Sequence, residues 1–441
     1  MASVKAQVNT TATEKTKILY NNLKIIQRSD QFLFGQEFFN SFRFSSGSAH
    51  GEEEYSDSKA VTGSHPAVLG SDFHYYLDKS ATERSYHTEA VKWAYQQGYA
   101  ITFDWHISGR GTTTYEYQAG SKDLVNNIVN NLNGDRDWLY EQFDKVIDII
   151  NNDLLVNGER IPIVFRPWHE MTGGWFWWGS SATNPTNYKA LYKLTVDYFN
   201  ARTNSVLFCW SPNTPVRNFD YYPGDEWVDI LGVDGYEITN TPIRADLDLL
   251  VTHAQANDKV VVLAETGNRT NDGNAASAYW KNTVLPAIMD DPSGKSKRIA
   301  WVLTWINASW SYPYVPHSAS SSTAKQNFID FKNSPNVLFG DEIANMYVPM
   351  DPPVSVENEI VSEDDLQVFP VPSKDKITIR LKNFAFPAKL TFYNDRGQQL
   401  YEMTVTKPEV SIDSARFFRA GLYLLKASDA TKSVSRRIVL E

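Results

Sequence analysis

IPIVFR, residues 161–166, is a short apolar run that leads directly into the sequence PWHE and ends at Glu170. A second run, VVVLAE over residues 260–265, also ends on a glutamate, Glu265. Both runs have the length and the β-branched composition of buried parallel strands. In a barrel of alternating strands and helices, catalytic groups lie at the carboxyl ends of the strands. The two glutamates are therefore the first candidates for catalytic residues.

Six further apolar runs recur at spacings that leave room for a helix between each pair. They cover residues 32–36, 67–72, 100–105, 205–210, 230–236 and 299–305. Helical periodicity fills the gaps, for example over residues 138–150 and 188–199. Eight strand–helix alternations predict an α/β fold, a closed (β/α)₈ TIM barrel that occupies residues 1–347.

The pattern changes after the barrel. Residues 348–366 combine proline with an acidic stretch and are interpreted as a linker. Residues 367–441 carry short runs with alternating polarity, separated by turn signals such as NDRG at 394–397. The clearest of these runs are 376–381, 388–393, 421–426 and 434–440. They predict a small C-terminal antiparallel β-sandwich domain.

Composition limits the classes of partner. The chain has 441 residues, a formal net charge of -10 and no basic tract, which argues against nucleic acid, an anionic membrane surface or a polyanionic substrate. The single cysteine, Cys209, excludes an intrachain disulfide. No segment has the length of a membrane span or the composition of a signal peptide, so we expect either a cytosolic protein or one whose leader has been removed.

Two carboxyl groups in unequal surroundings suit the hydrolysis of glycosidic bonds. A retaining glycosidase needs one protonated acid and one ionised nucleophile about 5 Å apart. Glu170 follows an arginine and a histidine, whereas Glu265 follows a wholly apolar run, and such differences separate two carboxyl pKa values. The alternative is that either glutamate is a solvated loop residue. Against that alternative, other predicted strand ends also carry polar and aromatic residues, namely Asp72, His74, Asp104, His106, Tyr236 and Trp305.

Tryptophan is concentrated directly after Glu170, in WFWWG at residues 175–179. The C–H faces of sugar rings stack on indole, so this row predicts subsites for a sugar chain, with Trp175 and Trp178 in contact with substrate. The alternative is a hydrophobic plug over the barrel, and we expect one or two of the three tryptophans to serve as one. The same two interpretations stay open for Trp305 and for Trp310 with Tyr312 and Tyr314.

Histidines near the predicted strand ends raise the possibility of a metal. His74, His106 and His169 would supply the three protein ligands of a catalytic zinc, but the short ligand spacings typical of such sites are absent. Hydrogen bonding by His106 and His169 is the favoured interpretation. We therefore expect neither a metal nor a cofactor.

Residues 15–345 resemble glycoside hydrolase family 26. The similarity rests on FGQE (34–37), PAVLGSD (66–72), RPWHEM (166–171) with its tryptophan tail, VDGY (233–236) and AETG (264–267). The resemblance implies a (β/α)₈ barrel with its acid/base after strand four and its nucleophile after strand seven.

By this resemblance Glu170 is the acid/base and Glu265 the nucleophile. His169 and Tyr236 would hold the nucleophile ionised and in position, and His106, Trp175 and Trp305 would line the sugar site. The implied reaction is retaining hydrolysis of mannan, glucomannan or galactomannan by an endo-β-1,4-mannanase acting on the polysaccharide or on manno-oligosaccharides. A mixed-linkage β-glucanase, a β-1,3-xylanase and a non-catalytic carbohydrate-binding barrel remain alternatives.

The C-terminal residues resemble the sorting domain of type IX secretion substrates, with FPVP at 369–372 in place of the usual YPNP. This implies recognition by a secretion machinery, a secreted or cell-surface protein, and a leader that this chain lacks. The alternative is a carbohydrate-binding module, but residues 360–441 contain no tryptophan for stacking. We expect a monomer without nucleic-acid partners and without insertion into a membrane.

Overall fold

The computed structural model describes residues 7–117, 121–236, 238–269, 278–350, 365–373, 376–394, 399–413, 421–429 and 433–440. The chain divides into two compact units, Met1–Asp351 and Pro352–Glu441. Most of the predicted linker, 348–366, lies outside the described residues, as does the predicted turn at 394–397 apart from Asn394.

Eight parallel strands form the core of the first unit. In chain order they are β1 Phe32–Glu37, β2 Val68–Asp72, β3 Ala100–Asp104, β4 Ile163–Arg166, β5 Val206–Trp210, β6 Ile230–Tyr236, β7 Val260–Gly267 and β8 Trp301–Thr304. Each strand pairs with its neighbours in sequence, and β8 pairs with β1, so the sheet closes on itself. Nearly every strand residue is buried, because the barrel interior and the surrounding helices cover both faces. The predicted (β/α)₈ barrel is confirmed.

Helices connect the strands and cover the barrel. They are the α-helices Glu14–Arg28, Asp57–Thr62, His74–Leu77, Ala81–Gln96, Leu124–Asn130, Asp135–Asp148, Pro185–Asn200, Asn240–Asn257, Leu285–Met289 and Ser322–Lys332, and the π-helices Ile149–Asp153 and Trp280–Val284. Capping residues explain where several of these helices begin. Ser80, for example, accepts a hydrogen bond from the backbone N–H of Glu83, and Asn184 caps a helix whose first residue is Pro185.

Two short pairings supplement the barrel. Val337–Leu338 adds a parallel strand at the start of β1. Leu155–Val156 and Glu159–Arg160 form a hairpin just before β4, at the end of the barrel opposite the carboxyl ends of the strands. No helix in the described ranges combines the length and the apolar character needed to cross a membrane.

The second unit consists of antiparallel strands: β9 Leu366–Phe369, β10 Lys376–Leu381, β11 Ala388–Tyr393, β12 Gln399–Val405, β13 Glu409–Asp413, β14 Gly421–Ser428 and β15 Ser433–Leu440. They form a three-stranded sheet, β9-β10-β13, and a four-stranded sheet, β12-β11-β14-β15. Alternate side chains of both sheets, such as Ile379, Leu390 and Leu425, share one core. This confirms the predicted antiparallel domain of sandwich type.

Candidate active site

Arg166, the last residue of β4, is the centre of a buried ionic cluster. Its Nη1 donates to both carboxylate oxygens of Asp234, at 2.9 and 3.1 Å, and its Nη2 donates to Asp104 Oδ2 at 3.3 Å and to Glu265 Oε1. One guanidinium therefore faces three carboxyl groups. Burial holds the pKa of Asp104 and that of Asp234 well above the ordinary value, against the opposing effect of Arg166.

Glu265 lies within β7, and both of its carboxylate oxygens are bound. Arg166 donates to Oε1, and the Tyr236 hydroxyl, at the end of β6, donates to Oε2 at 2.8 Å. A cation and a phenol both favour a negatively charged carboxylate. The residue is 4% exposed, so these two donors replace most of the water that would otherwise solvate the carboxylate. The arrangement suits a nucleophile that must stay ionised and fixed in orientation.

Glu170 follows β4 in a tight turn and has a different environment. Trp168 and Glu170 both adopt left-handed backbone conformations, with φ of 57° and 54°, and the backbone N–H of Glu170 donates to Ser211 at 2.8 Å. The carboxylate accepts from Trp175 Nε1 at 2.8 Å and from Asn213 Nδ2 at 3.3 Å. Left-handed φ values at non-glycine residues are strained and concentrate at functional sites.

The pKa of Glu170 is raised to about 7, first by burial and then by the charge of Glu265. The hydrogen bond from Trp175 and the charges of His106 and Arg166 act in the opposite direction. A carboxyl group with this pKa is largely protonated below neutral pH and is close to balance between acid and base at pH 7. Glu170 thus has the property that a general acid/base needs.

His106 lies after β3 and pairs with Asp72 at the end of β2. Its Nδ1 is 2.9 Å from Asp72 Oδ2, and its backbone N–H donates to Oδ1 at 3.1 Å. Burial lowers the pKa of His106, but the Asp72 carboxylate and its hydrogen bond outweigh burial, so the pKa lies above its ordinary value. Its ring contacts Trp305 at 5.6 Å and Tyr115 at 4.8 Å between centroids. His106 is therefore held by Asp72 among aromatic rings.

His169 is buried between aromatic rings and is neutral. Burial, and then the charges of His106 and Arg166, hold its pKa well below the ordinary value. Its Nε2 lies 4.0 Å from Asp104 Oδ2, and its Nδ1 has no hydrogen-bond partner within the described part of the chain. The resemblance implies that His169, together with Tyr236, holds the nucleophile ionised and in position. In the described residues the donors to Glu265 are Arg166 and Tyr236, and the role of His169 stays a prediction.

The three tryptophans after Glu170 divide into two groups. Trp175 is 44% exposed and donates to Glu170, as expected for a residue that meets substrate. Trp177 and Trp178 are fully buried, with their Nε1 atoms bonded to the carbonyls of Ile107 and His169. Because Trp178 has no exposed surface, the prediction that it contacts substrate needs correction: it supports the backbone of His169. The expected plug is thus formed by two of the three tryptophans.

One group of side chains in the described residues has ligand atoms close enough to hold a metal ion: Asp104, His106 and His169, all within 4.8 Å of one another. His74, the third histidine of the zinc hypothesis, pairs with Asp78 at 3.1 Å. The group fits a cation poorly, because Asp104 Oδ2 already accepts from Arg166, whose buried positive charge would repel a metal. The expectation of no metal stays a prediction.

Sequence reasoning assigned no role to Arg166, Asp234 or Glu37, although all three stand in the quoted motifs. Glu37, at the end of β1, is 2% exposed, and its Oε2 occupies the space that a Cβ on Gly70 would fill. Burial and the neighbouring Glu265 raise its pKa well above the ordinary value. Arg166 could have indicated these buried acidic residues from the sequence, because an arginine at the end of an otherwise apolar barrel strand requires buried carboxylates.

We predict that Arg166→Met lowers the free energy of unfolding by about 3–5 kcal/mol near neutral pH, because it leaves buried carboxylates without a cation. The loss should shrink below pH 4, where these carboxyl groups are protonated in the unfolded chain as well. Thermal unfolding followed by near-ultraviolet circular dichroism measures the effect. The control is Arg84→Met, which removes a partly exposed pair with Asp153 and should cost less than about 1 kcal/mol. Equal losses in both variants would contradict the proposed importance of the buried cluster.

Comparisons with known proteins agree with this geometry. Residues 8–288, more than half of the chain, match the family model of glycosyl hydrolase family 26. Residues 367–441 match the secretion system C-terminal sorting domain, which confirms the predicted tail and a location outside the cell or at its surface.

A mannan endo-1,4-beta-mannosidase from Bifidobacterium adolescentis is 25% identical over 395 residues, which cover 77% of this chain and 38% of that protein. Three further curated mannosidases are matched over 21% to 41% of their length, so the chain spans less than half of these relatives.

Solved structures show the same fold. A family 26 β-mannanase from Bacteroides ovatus aligns with a TM-score of 0.68 and 28% identity, over 76% of this chain and 98% of that one. The catalytic domain of an endo-β-1,4-mannanase from Bacillus sp. JAMB-750 aligns with a TM-score of 0.69 and 27% identity, over 78% of this chain and 96% of that one. With its barrel, its pair of strand-end glutamates and the match over residues 8–288, the chain belongs to glycosyl hydrolase family 26.

Proposed function

We propose that this protein is a retaining endo-β-1,4-mannanase that hydrolyses mannan, glucomannan or galactomannan. The observation that carries the proposal is the contrast between two glutamates of one site. Glu170 has a pKa of about 7, whereas Glu265 is bound by a guanidinium and a phenol. The family match and the names of the relatives support the reaction and the substrate.

In the first step a Glu265 oxygen attacks the anomeric carbon, and the bond from that carbon to the leaving oxygen breaks. The proton of Glu170 passes to the leaving oxygen, so the released chain departs as a neutral alcohol. In the second step Glu170, now a carboxylate, takes a proton from water, whose oxygen attacks the same carbon and frees Glu265. Two inversions at one carbon retain its configuration.

The charge of Glu265 lets Glu170 change roles between the steps. That charge is the second-largest cause of the raised pKa of Glu170. It disappears when Glu265 becomes an ester in the covalent intermediate, so the pKa of Glu170 falls at the moment when a base is required. The same residue then serves as acid in the first step and as base in the second.

The surroundings of the two glutamates suit a neutral sugar. Trp175 offers an exposed indole beside the acid, and Trp305 packs against His106. The imidazole of His106 can form a hydrogen bond to a sugar hydroxyl, while the rings stack on C–H faces. We propose that these three residues bind the sugar next to the cleaved bond.

We further propose that the C-terminal domain is recognised by a secretion machinery, and that the enzyme acts as a monomer without nucleic-acid partners. The match of residues 367–441 to a sorting domain supports the first part. The acidic net charge of -10 supports the absence of a nucleic-acid partner.

Reducing-sugar release from linear mannan, konjac glucomannan, barley β-glucan and β-1,3-xylan tests the substrate. We expect the highest kcat/KM on mannan or glucomannan. Higher activity on β-glucan or xylan would replace mannan as the substrate but keep the mechanism. Binding to mannan without release from any polymer would contradict the enzyme proposal and favour a non-catalytic binding barrel.

We predict that Trp175→Phe moves the alkaline limb of kcat/KM to a pH about 0.5–1 higher, on the basis of a hydrogen bond worth about 1 kcal/mol. In the wild type the limb should lie near pH 7, since activity falls as Glu170 loses its proton. The indole N–H lowers the pKa of Glu170, so its removal raises that pKa and extends activity upward. A pH–rate profile makes the measurement.

The control is Trp227→Phe, which removes a similar bond, from Nε1 to Asp197 at 3.1 Å, just before β6 and at the opposite end of the barrel. Its limb should stay at the wild-type position. A limb in Trp175→Phe that stays in place or moves to lower pH would contradict the assignment.

A further inference from the structure

Trp310 is the second strongly exposed tryptophan of the described residues, and the mechanism does not use it. Its exposed fraction is 53%, compared with 44% for Trp175 beside the acid. An indole with more than half of its surface in water gains little from packing.

Trp310 belongs to a loop whose two ends flank the catalytic site. The loop, residues 305–314, leaves β8 at Trp305, which contacts His106 at 5.6 Å between centroids. It returns at Tyr314, which contacts Tyr236 at 5.9 Å, and Tyr236 donates to the nucleophile Glu265. Trp310 therefore lies at the mouth of the barrel, in the middle of a loop tied to the site at both ends.

The ring is held in a fixed orientation. Trp310 Nε1 donates to the carbonyl of Gly47 at 2.9 Å, and the edge contact with Phe42 has centroids 6.1 Å apart at 88°. The backbone of Ser309 also donates to Ser46 at 3.2 Å, which joins the two loops. A Cβ on Gly47 would lie 3.1 Å from Trp310 Cδ1, so the glycine lets the indole lie close against the backbone. The polar edge of the ring is thus satisfied within the protein while a large part of its surface stays open.

The surroundings indicate the chemistry of the ligand. The residues adjacent in sequence to Gly47 and Trp310 are Ser46, Ser48, Ser309 and Ser311, which carry hydroxyl groups and no charge. An open indole face on two loops with serines at these positions suits a neutral polyhydroxylated ring, which stacks through its C–H face and hydrogen-bonds at its edge. Because the ring is already fixed, binding would cost little side-chain entropy.

We propose that Trp310 is a binding platform for a pyranose unit of the substrate chain, remote from the bond that is cleaved. The inference rests on the proposed function, since it requires a polymeric substrate that runs across the mouth of the barrel. Long substrates reach the platform and gain from it, whereas short ones occupy only the site between Trp175 and Trp305. Trp310 thereby contributes to the preference for long chains.

The test compares kcat/KM on mannohexaose with kcat/KM on an aryl β-mannobioside, for the wild type and for Trp310→Ala. We expect the ratio of the two constants to fall about tenfold in Trp310→Ala, with little change on the short substrate. Trp310→Phe keeps an apolar face and should lose less. Trp227→Ala removes a tryptophan at the opposite end of the barrel and should leave the ratio unchanged. Thermal unfolding of each variant establishes that it is folded at the assay temperature.

An unchanged ratio in a folded Trp310→Ala enzyme would overturn the inference and leave the proposed function intact. Equal losses on both substrates would also overturn it, because they would assign Trp310 to holding the loop at the catalytic site. A wild-type enzyme without activity on mannohexaose or mannan would overturn the proposed function itself, and the platform with it.

Discussion

Replacing Glu265 by alanine should lower kcat by on the order of 10⁴-fold or more on every substrate that the wild type cleaves, as the loss of covalent nucleophiles does in other enzymes. In the described part of the chain three neighbouring carboxyl groups are poor replacements: Asp104 and Asp234 are bound to Arg166, and burial favours the protonated form of Glu37. The measurement is reducing-sugar release under saturating substrate.

The control for Glu265→Ala is Glu159→Ala, which removes an exposed glutamate of the hairpin before β4 and should leave kcat unchanged. A second control is added azide, a small anion that can occupy the space of the deleted carboxylate. It should restore cleavage of an aryl β-mannobioside, with a glycosyl azide of inverted configuration as the product. Activity within about tenfold of the wild type in Glu265→Ala would contradict the double displacement and favour the metal hypothesis.

Replacing Glu170 by alanine should lower kcat/KM on mannan by about 10²–10⁴-fold, the usual contribution of a general acid–base group. The loss should be much smaller on a dinitrophenyl glycoside, whose leaving oxygen departs without a proton. The alkaline limb near pH 7 should also disappear, because the group that produces it is gone. Parallel pH–rate profiles on the two substrates provide the measurement.

For Glu170→Ala the substrate pair is an internal control. A structural defect would reduce activity on both substrates equally, whereas loss of the acid affects the poor leaving group most. If the variant kept an alkaline limb near pH 7, another residue would have to be the acid. His106 would be the next candidate, since Asp72 raises its pKa.

The barrel could be predicted from the sequence because its strands are short, mostly apolar and regularly spaced. β6, for example, covers residues 230–236 as predicted, and the other strands differ from their predicted runs by no more than two residues at either end. In the second unit β9, which begins at the last residue of the predicted linker, was not among the predicted runs, and neither were β12 and β13. Their polar and exposed positions, as in Glu402 and Glu409, leave only a weak alternating pattern.

The two glutamates could be proposed from sequence because each ends an apolar run, and position at a strand end suffices to indicate a site. Partners across the barrel could not be derived, since Arg166, Asp104 and Asp234 come from three different strands. Their contacts depend on how the strands pair when the sheet closes into a barrel, and the local sequence pattern does not determine that pairing. The sequence also does not show which tryptophans of the row are exposed. Trp175 and Trp178 have similar sequence contexts, but in the structure Trp175 is exposed and Trp178 is buried.

The central claim is that Glu265 forms a covalent bond to the sugar, and the configuration of the first product tests it most directly. Proton nuclear magnetic resonance, recorded during the first minutes of mannohexaose hydrolysis, distinguishes the anomers before they interconvert. We predict that the newly formed reducing end appears first as the β-anomer, because two displacements retain configuration. Initial appearance of the α-anomer would mean a single displacement by water, and it would contradict the assignment of Glu265 as the nucleophile.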